Sequence, residues 1–283
     1  MRVFERLWRS RLHAAPASAP HDSARTAPGP THVVPELDDD HHAYQYEASV
    51  RTHLRRLSRA ADAYVAALST AEFDAALTSR LVAAEQLQSS GLGFSYAAPF
   101  APQIYEVLSL DLPTTVVTLA DSRIAATGRR VPSLMGIGRA NLVRLLGSTE
   151  VDVQQVREGG AGVYAVLSES PYTASFARCL DDAVQRWLPD VDGRHGFVFA
   201  VPHRHAVVLQ GCATAVQVHD ALELVPAHAQ RLHDEGASPV SRHTYHWLDG
   251  QVTCLTREAD DGTLRVQPTE LLEQVLGLRR QAG

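Results

Sequence analysis

Histidine offers more chemistry than any other residue type in this chain, because its ring can bind a metal ion or exchange a proton near neutral pH. The sequence contains 14 histidines. His203 and His205 are two residues apart, a spacing that places two ligands on one face of a strand. With one or more of His219, His243 and His246, they would supply the ligands of a metal-dependent hydrolase. That activity is the alternative function that the sequence leaves open.

The elements predicted around these histidines argue against a shared metal site. His203 falls at the tip of a predicted hairpin, so its ring and the ring of His205 need not converge. In a later predicted hairpin, residues 249–250 are Asp-Gly, which favours a type I′ turn. This turn places His243 and His246 on opposite sides of their strand. We therefore predict no metal site, and we expect no cofactor.

Two other residues stand out as candidate binding groups. Arg204 also falls at the hairpin tip, where a guanidinium fork can donate to a carboxylate or phosphate, although a solvated turn residue is the alternative. Asn141 is the only asparagine of the chain and lies inside a predicted helix. Asparagine is a poor helix former and needs a partner if it is buried, so a structural hydrogen bond is its alternative role. The candidate binding residues are thus Arg204, His203, His205 and Asn141.

Known catalytic patterns are missing from the sequence. All 26 basic residues are arginines, which excludes chemistry that depends on a lysine amine, such as Schiff bases and the P-loop phosphate site. Residues 93–97 approach the Gly-x-Ser-x-Gly pattern of hydrolases but lack its last glycine. No nucleophile, base and orienting group can be assembled from the spacing. We therefore predict no catalytic residue.

Charge and cysteine content point to a cytoplasmic protein that does not bind nucleic acid. The formal net charge is −6, and an acidic surface is a poor match for phosphate backbones. The three cysteines are far apart and include no C-x-x-C pair, which is typical of a reducing compartment. No apolar run approaches the length of a membrane span, and the N-terminus lacks the apolar region of a secretory signal.

The sequence predicts three regions. Residues 1–13 alternate apolar residues and arginines as in a basic amphipathic helix, which would contact an anionic membrane surface or a partner, or else pack on its own domain. Residues 14–45 form a disordered linker rich in Ala and Pro. Residues 46–283 form a globular domain, which comprises a helical hairpin at 46–90 and a core at 100–283.

The helical hairpin is predicted from two stripes of apolar residues that are separated near residue 70. Phe73, Leu77 and Leu81 begin the second stripe, which continues to residue 87. Thr70 is the predicted N-cap of this second helix, and Gly91 and its neighbours end it.

Beyond residue 100, amphipathic helices alternate with pairs of short strands. The predicted helices are 132–146, 171–188, 213–233 and 269–278, and the predicted strands are 116–120, 151–157, 163–167, 196–201, 205–210, 242–248, 251–257 and 264–266. Pro226 would bend or split the third of these helices. This order predicts an α+β fold of repeated helix-hairpin units with mainly antiparallel sheet.

Several short motifs between residues 100 and 210 resemble the bacterial YtpQ-like family, a domain of unknown function. They are Asp111 before the strand at 115–120 with Asp121 after it, the Ala-Asn-Leu triplet at 140–142, the helix that contains Ser175, and the strand at 196–204 that ends in Val-Pro-x-Arg. The resemblance implies a cytoplasmic α+β domain and brings no catalytic residues. Together with the missing catalytic patterns, it favours a non-catalytic binding or adaptor module with a protein partner.

Overall fold

The structure is a computed structural model that describes residues 63–158 and 161–278. The predicted basic segment at 1–13, the predicted linker at 14–45 and most of the first predicted helix lie outside the described residues. The helices are α1 Thr70–Ala76, α2 Ala84–Ser89, α3 Asp121–Ala126, α4 Val131–Ser148, α5 Leu180–Trp187, α6 Ala215–Glu235 and α7 Glu270–Val275. The strands are β1 Leu77–Ala83, β2 Ala98–Ala101, β3 Ile104–Leu112, β4 Thr115–Thr118, β5 Asp152–Glu158, β6 Ala161–Leu167, β7 Phe197–Ala200, β8 Ala206–Gly211, β9 Thr244–Leu248, β10 Gln251–Cys254, β11 Thr256–Glu258 and β12 Leu264–Val266.

Four antiparallel strands form the first sheet, in which β3 pairs with β1, β2 and β4. Helices α3 and α4 pack on this sheet through a cluster of mainly leucine side chains. A Cβ on Gly138 of α4 would lie 2.7 Å from Leu108 Cδ2 and 3.0 Å from the backbone nitrogen of Ser79. Gly138 is therefore a packing glycine, and it lets α4 lie directly on β1.

The predicted helix at 70–89 is wrong, because its middle forms the strand β1. Leu77 and Leu81 are four residues apart, and this spacing places both side chains on one face of a helix or of a strand. Pairing with β3, more than 20 residues away in sequence, stabilises the strand. The predicted cap is also one residue off, since Ser69 caps α1 and forms a capping box with Glu72.

Six antiparallel strands form the second sheet, in the order β10-β9-β7-β8-β6-β5. Alternate side chains of its strands belong to two apolar clusters, one on each face. Helix α6 covers one face, and α5 with the segment before it covers most of the other. Helices packed on antiparallel sheets make the fold α+β, as predicted.

The segment from Pro171 to Leu188 is only partly the regular helix that the sequence predicts. Residues Thr173–Cys179 form a 3₁₀ helix, and α5 begins after them. A hydrogen bond from the backbone nitrogen of Leu81 to Ser175 Oγ ties the 3₁₀ helix to β1 at 3.0 Å. The amphipathic character predicted for this segment is confirmed, because its apolar side chains are buried, some against the second sheet and others against α4.

The β9–β10 hairpin confirms the predicted turn, and α6 decides one of the two outcomes predicted for Pro226. Asp249 and Gly250 both have positive φ, at 49° and 77°, as a type I′ turn requires. β10 ends at Cys254, and the residues after it pair with β12 instead. Helix α6 is not split, since it runs continuously through Pro226. Among the described residues, no helix combines the length and apolar character needed to cross a membrane.

Candidate anion-binding site

The turn between β7 and β8 carries three of the four predicted binding residues, His203, Arg204 and His205. Backbone hydrogen bonds attach it to the loop after β6, where Ser168 N donates to His205 O at 3.1 Å. On the other side, Arg204 N donates to Ser238 O at 3.2 Å. The turn is therefore fixed between two segments of the chain, and its side chains are held in defined positions.

Both ring nitrogens of His205 are engaged. Nδ1 lies 3.0 Å from Ser170 O and carries the proton, because a carbonyl oxygen can only accept. Nε2 accepts a hydrogen bond from Arg204 Nε at 2.8 Å. These two contacts assign the neutral ring with its proton on Nδ1. Burial and the charge of Arg204 lower the pKa of His205, which favours this neutral form.

His203 is a buried neighbour of His205. The two ring centroids are 6.3 Å apart, and His203 Nδ1 accepts a hydrogen bond from His205 N at 3.2 Å. Burial, followed by the charges of His205, His233 and Arg204, lowers the pKa of His203 to about 4. His203 is therefore neutral at physiological pH and helps to hold the turn.

Arg80 of β1 lies close enough to this turn for its charge to act on Arg204 and His205. Its residue is only 6% exposed, and Nε is buried without a hydrogen-bond partner. Burial lowers the pKa of Arg80, nearby Tyr172 opposes the shift, and the positive charge of Arg204 adds to it. No carboxylate of the described residues forms an ion pair with Arg80 or Arg204. Two cations thus lie within range of each other's field.

Unpaired polar atoms surround Arg80. The hydroxyl of Tyr172 is buried without a hydrogen bond of ordinary geometry, although Thr78 is within reach, and burial raises the pKa of Tyr172. Ser109 Oγ is also buried without a partner. Ser109 pairs directly with Thr78 across the β1–β3 ladder, and side chains alternate along a strand, so both lie on the same face as Arg80. Unsatisfied buried polar groups are rare in native proteins, and three of the seven such side-chain atoms among the described residues belong to Arg80, Ser109 and Tyr172.

Glu106 shows how the same sheet accommodates paired arginines. This buried carboxylate accepts two hydrogen bonds from Arg139, at 2.8 and 2.6 Å, and one from Ser79 at 2.6 Å. Arg178 Nε donates to it at 3.2 Å. Burial opposes ionisation, but the hydrogen bonds and charges of these partners lower the pKa of Glu106 overall. All the arginines around Glu106 are therefore neutralised or hydrogen-bonded, in contrast to Arg80.

Asn141, the fourth predicted residue, has a structural role in α4 and lies apart from the turn. Its Nδ2 donates to Asp74 O at 2.7 Å and to Leu77 O at 2.6 Å. These carbonyls mark the point where α1 ends and β1 begins. The side chain also lines a polar cleft of about 170 Å³ together with Asp111 and Arg144. Asn141 therefore fastens α4 to the α1–β1 junction.

The other histidines of the metal hypothesis are dispersed. His219 is exposed on α6, with 69% of its side chain accessible. His243 Nδ1 lies 3.0 Å from Thr256 Oγ1, whereas His246 Nε2 lies 2.8 Å from the backbone oxygen of His195. Within the part of the chain that the structure describes, no three or more His, Cys, Asp or Glu residues are grouped as metal ligands would be.

Sequence reasoning located the turn but missed Arg80. The turn is local, since adjacent residues that include Pro202 specify it, whereas Arg80 belongs to a strand that was predicted as helix. The sequence carries one signal for this residue. Arg80 lies between Ser79 and Leu81, as a residue does when successive side chains of a strand point to opposite faces.

No protein-family model, no curated protein and no solved structure matches this chain.

Proposed function

We propose that this chain is a non-catalytic binding module that holds an anionic group, phosphate or carboxylate, between Arg80 and Arg204. The observation that carries this proposal is the burial of Arg80 without an ion pair to any carboxylate of the described residues. Removing a charged side chain from water costs several kcal/mol unless it is paired. An anion at this position would compensate that cost and screen the repulsion between the two guanidiniums.

The chemistry of the turn suits an anion that arrives from solvent. Arg204 and His205 are half-buried, so one side of the cluster faces outward. A guanidinium offers a planar fork of donors that matches the oxygens of phosphate and carboxylate. The Tyr172 and Ser109 hydroxyls add two donors that have no partner of ordinary geometry among the described residues. The cluster thus combines charge and hydrogen-bond donors in a fixed arrangement.

The anion would belong either to a small molecule or to a side chain of a protein partner, and the latter corresponds to an adaptor. Both sources share the same recognition chemistry. Free phosphate, free acetate and a phosphoserine peptide tell them apart, because only an adaptor binds the peptide more tightly than the free ion.

The proposal is tested by thermal unfolding and calorimetry of the full chain in phosphate at constant ionic strength. We expect phosphate to raise the melting temperature by a few degrees, because a ligand at ten times its Kd stabilises the folded state by about 1.4 kcal/mol. The shift should disappear in Arg80→Gln and in Arg204→Gln.

Arg257→Gln is the matched control, since Arg257 is an exposed residue of β11 remote from the turn in sequence. It should keep the full phosphate response. Equal shifts in all variants would mean that phosphate acts nonspecifically, and the proposal would then be wrong.

We also propose that residues 100–210 belong to the YtpQ-like family that their motifs resemble. Arg204 is the last residue of the Val-Pro-x-Arg motif, so the proposal connects the resemblance to the anion site. The cytoplasmic location and the contact of residues 1–13 with a membrane or partner stay predictions. Removing residues 1–13 and comparing liposome pelleting tests the second of them.

A further inference from the structure

His205 occupies one of the hydrogen-bond donors with which Arg204 could bind an anion. A guanidinium has two edges that each offer two donors, and one of these edges comprises Nε and a terminal nitrogen. Nε of Arg204 donates to His205 Nε2 at 2.8 Å. This contact exists only while Nε2 is unprotonated, since a protonated ring has no acceptor. The neutral ring is held in place by its second hydrogen bond, to Ser170 O at 3.0 Å. Protonation of His205 at Nε2 would therefore release the Nε donor of Arg204 and create a new donor beside it.

The charged and titratable groups around His205 determine when that protonation occurs. Arg204 and His203 belong to the same turn, and Arg80 reaches it from β1. His233 of α6 also acts on His203. On the loop after β6, Tyr172 is neutral at physiological pH and Glu169 is exposed. Burial and the two arginines lower the pKa of His205, so the ring is neutral while the site is empty.

The charges of the two arginines determine which type of anion would favour protonation of His205. Arg80 and Arg204 together carry two positive charges. A monoanion leaves one of them uncompensated, and the field still disfavours a cationic ring. A dianion compensates both and places its oxygens next to the ring, which favours the protonated form.

Resting on the proposed function, we infer that the site takes a dianion of the phosphate-monoester or sulfate class and that its binding is coupled to uptake of one proton at His205 Nε2. The bound state then has both edges of Arg204 available and an imidazolium that donates to the ligand. By linkage, the affinity for the dianion rises as the pH falls toward the pKa of the histidine in the complex.

Sulfate is the probe for the experiment, because it remains a dianion throughout the range from pH 5.5 to 8, whereas phosphate itself titrates there. Calorimetry of the full chain at constant ionic strength gives the affinity at each pH. Repeating the titration in two buffers with different ionisation enthalpies gives the number of protons taken up. We expect roughly tenfold tighter binding at pH 6 than at pH 7.5, with an uptake approaching one proton.

Two variants and one further ligand isolate the role of His205. In His205→Gln, the affinity for sulfate should not depend on pH and no proton should be taken up. His219→Gln, at an exposed histidine of α6, should behave as the wild type. Methyl sulfate, a monoanion with the same oxygens, should bind more weakly and without proton uptake.

The outcomes separate this inference from the function on which it rests. If sulfate binds the wild type with an affinity that is independent of pH, and Arg204→Gln abolishes binding, the proton coupling is wrong and the anion site stands. If the wild type and Arg204→Gln bind sulfate equally, or neither binds it, the anion site itself is wrong.

Discussion

Arg80 and Arg139 illustrate two ways in which one sheet holds a guanidinium. Arg139 forms two hydrogen bonds with Glu106 and remains partly exposed, so its charge is both paired and hydrated. Arg80 is more deeply buried, and in the described part of the chain it has neither an ion pair with a carboxylate nor a hydrogen bond on Nε. A buried charge without a partner lowers the free energy of unfolding, and residues that serve ligand binding commonly have this effect.

Replacing Arg80 by methionine should therefore stabilise the ligand-free protein. Methionine keeps the length of the apolar stem and removes the unpaired charge. We expect the free energy of unfolding, measured with urea in a chloride buffer, to rise by about 1–3 kcal/mol. Saturating phosphate should stabilise only the wild type, so that the free energies of unfolding of the two proteins become more similar.

Arg139→Met is the matched comparison on the paired arginine. It removes two hydrogen bonds from buried Glu106 and should cost about 3 kcal/mol. If Arg80→Met were destabilising to a similar extent, Arg80 would be a structural residue and the anion site would lose its main support.

The strand β1 explains which parts of the fold and of the site were predictable from sequence. The β7–β8 and β9–β10 hairpins were predicted because a few adjacent residues specify each turn. β1 was not, because Leu77 and Leu81 fit a helix as well as a strand, and only pairing with the distant β3 decides between them. Arg80 belongs to the same strand, so the prediction of a helix gave no indication that it lies near the turn. The buried face of α5 was predicted, since it follows from periodicity alone.

The close contact between α4 and β1 can be tested with two glycines of the same helix. In Gly138→Ala, the added methyl would approach Leu108 Cδ2 and the backbone of Ser79, and we expect a loss of about 1–3 kcal/mol in the free energy of unfolding. In Gly136→Ala, no described atom other than those of the adjacent residues and of the helix's own backbone lies within 4 Å of the new methyl, and the higher helix propensity of alanine should add up to about 1 kcal/mol.

Urea titrations of the two alanine variants measure both effects. Opposite signs are the expected result. A gain in stability for Gly138→Ala would mean that α4 does not lie on β1 as the structure has it.

At the scale of the whole molecule, four buried or half-buried histidines form hydrogen bonds in and next to the second sheet. His203, His205, His243 and His246 are engaged in hydrogen bonds, and burial is the main cause that lowers the pKa of each. They lie in the turn beside β8 and in or next to β9, so their neutral forms are part of the packed structure. The folded protein therefore keeps these rings neutral, and acid, which protonates them, favours unfolding.

Stability should consequently fall as the pH decreases from about 6.5 toward 4. Between these values the unfolded chain, whose histidines titrate near 6.5, binds more protons than the folded protein, so protons favour unfolding. His203, with its pKa of about 4, should alone account for about 1–2 kcal/mol between pH 6.5 and pH 5. Urea unfolding at pH 7.5, 6.5 and 5 in chloride buffer measures the slope. His203→Gln should reduce the slope, whereas His219→Gln should leave it unchanged, because that side chain is exposed. A free energy of unfolding that stays constant over this range would show that the buried histidines accept protons without disturbing the fold.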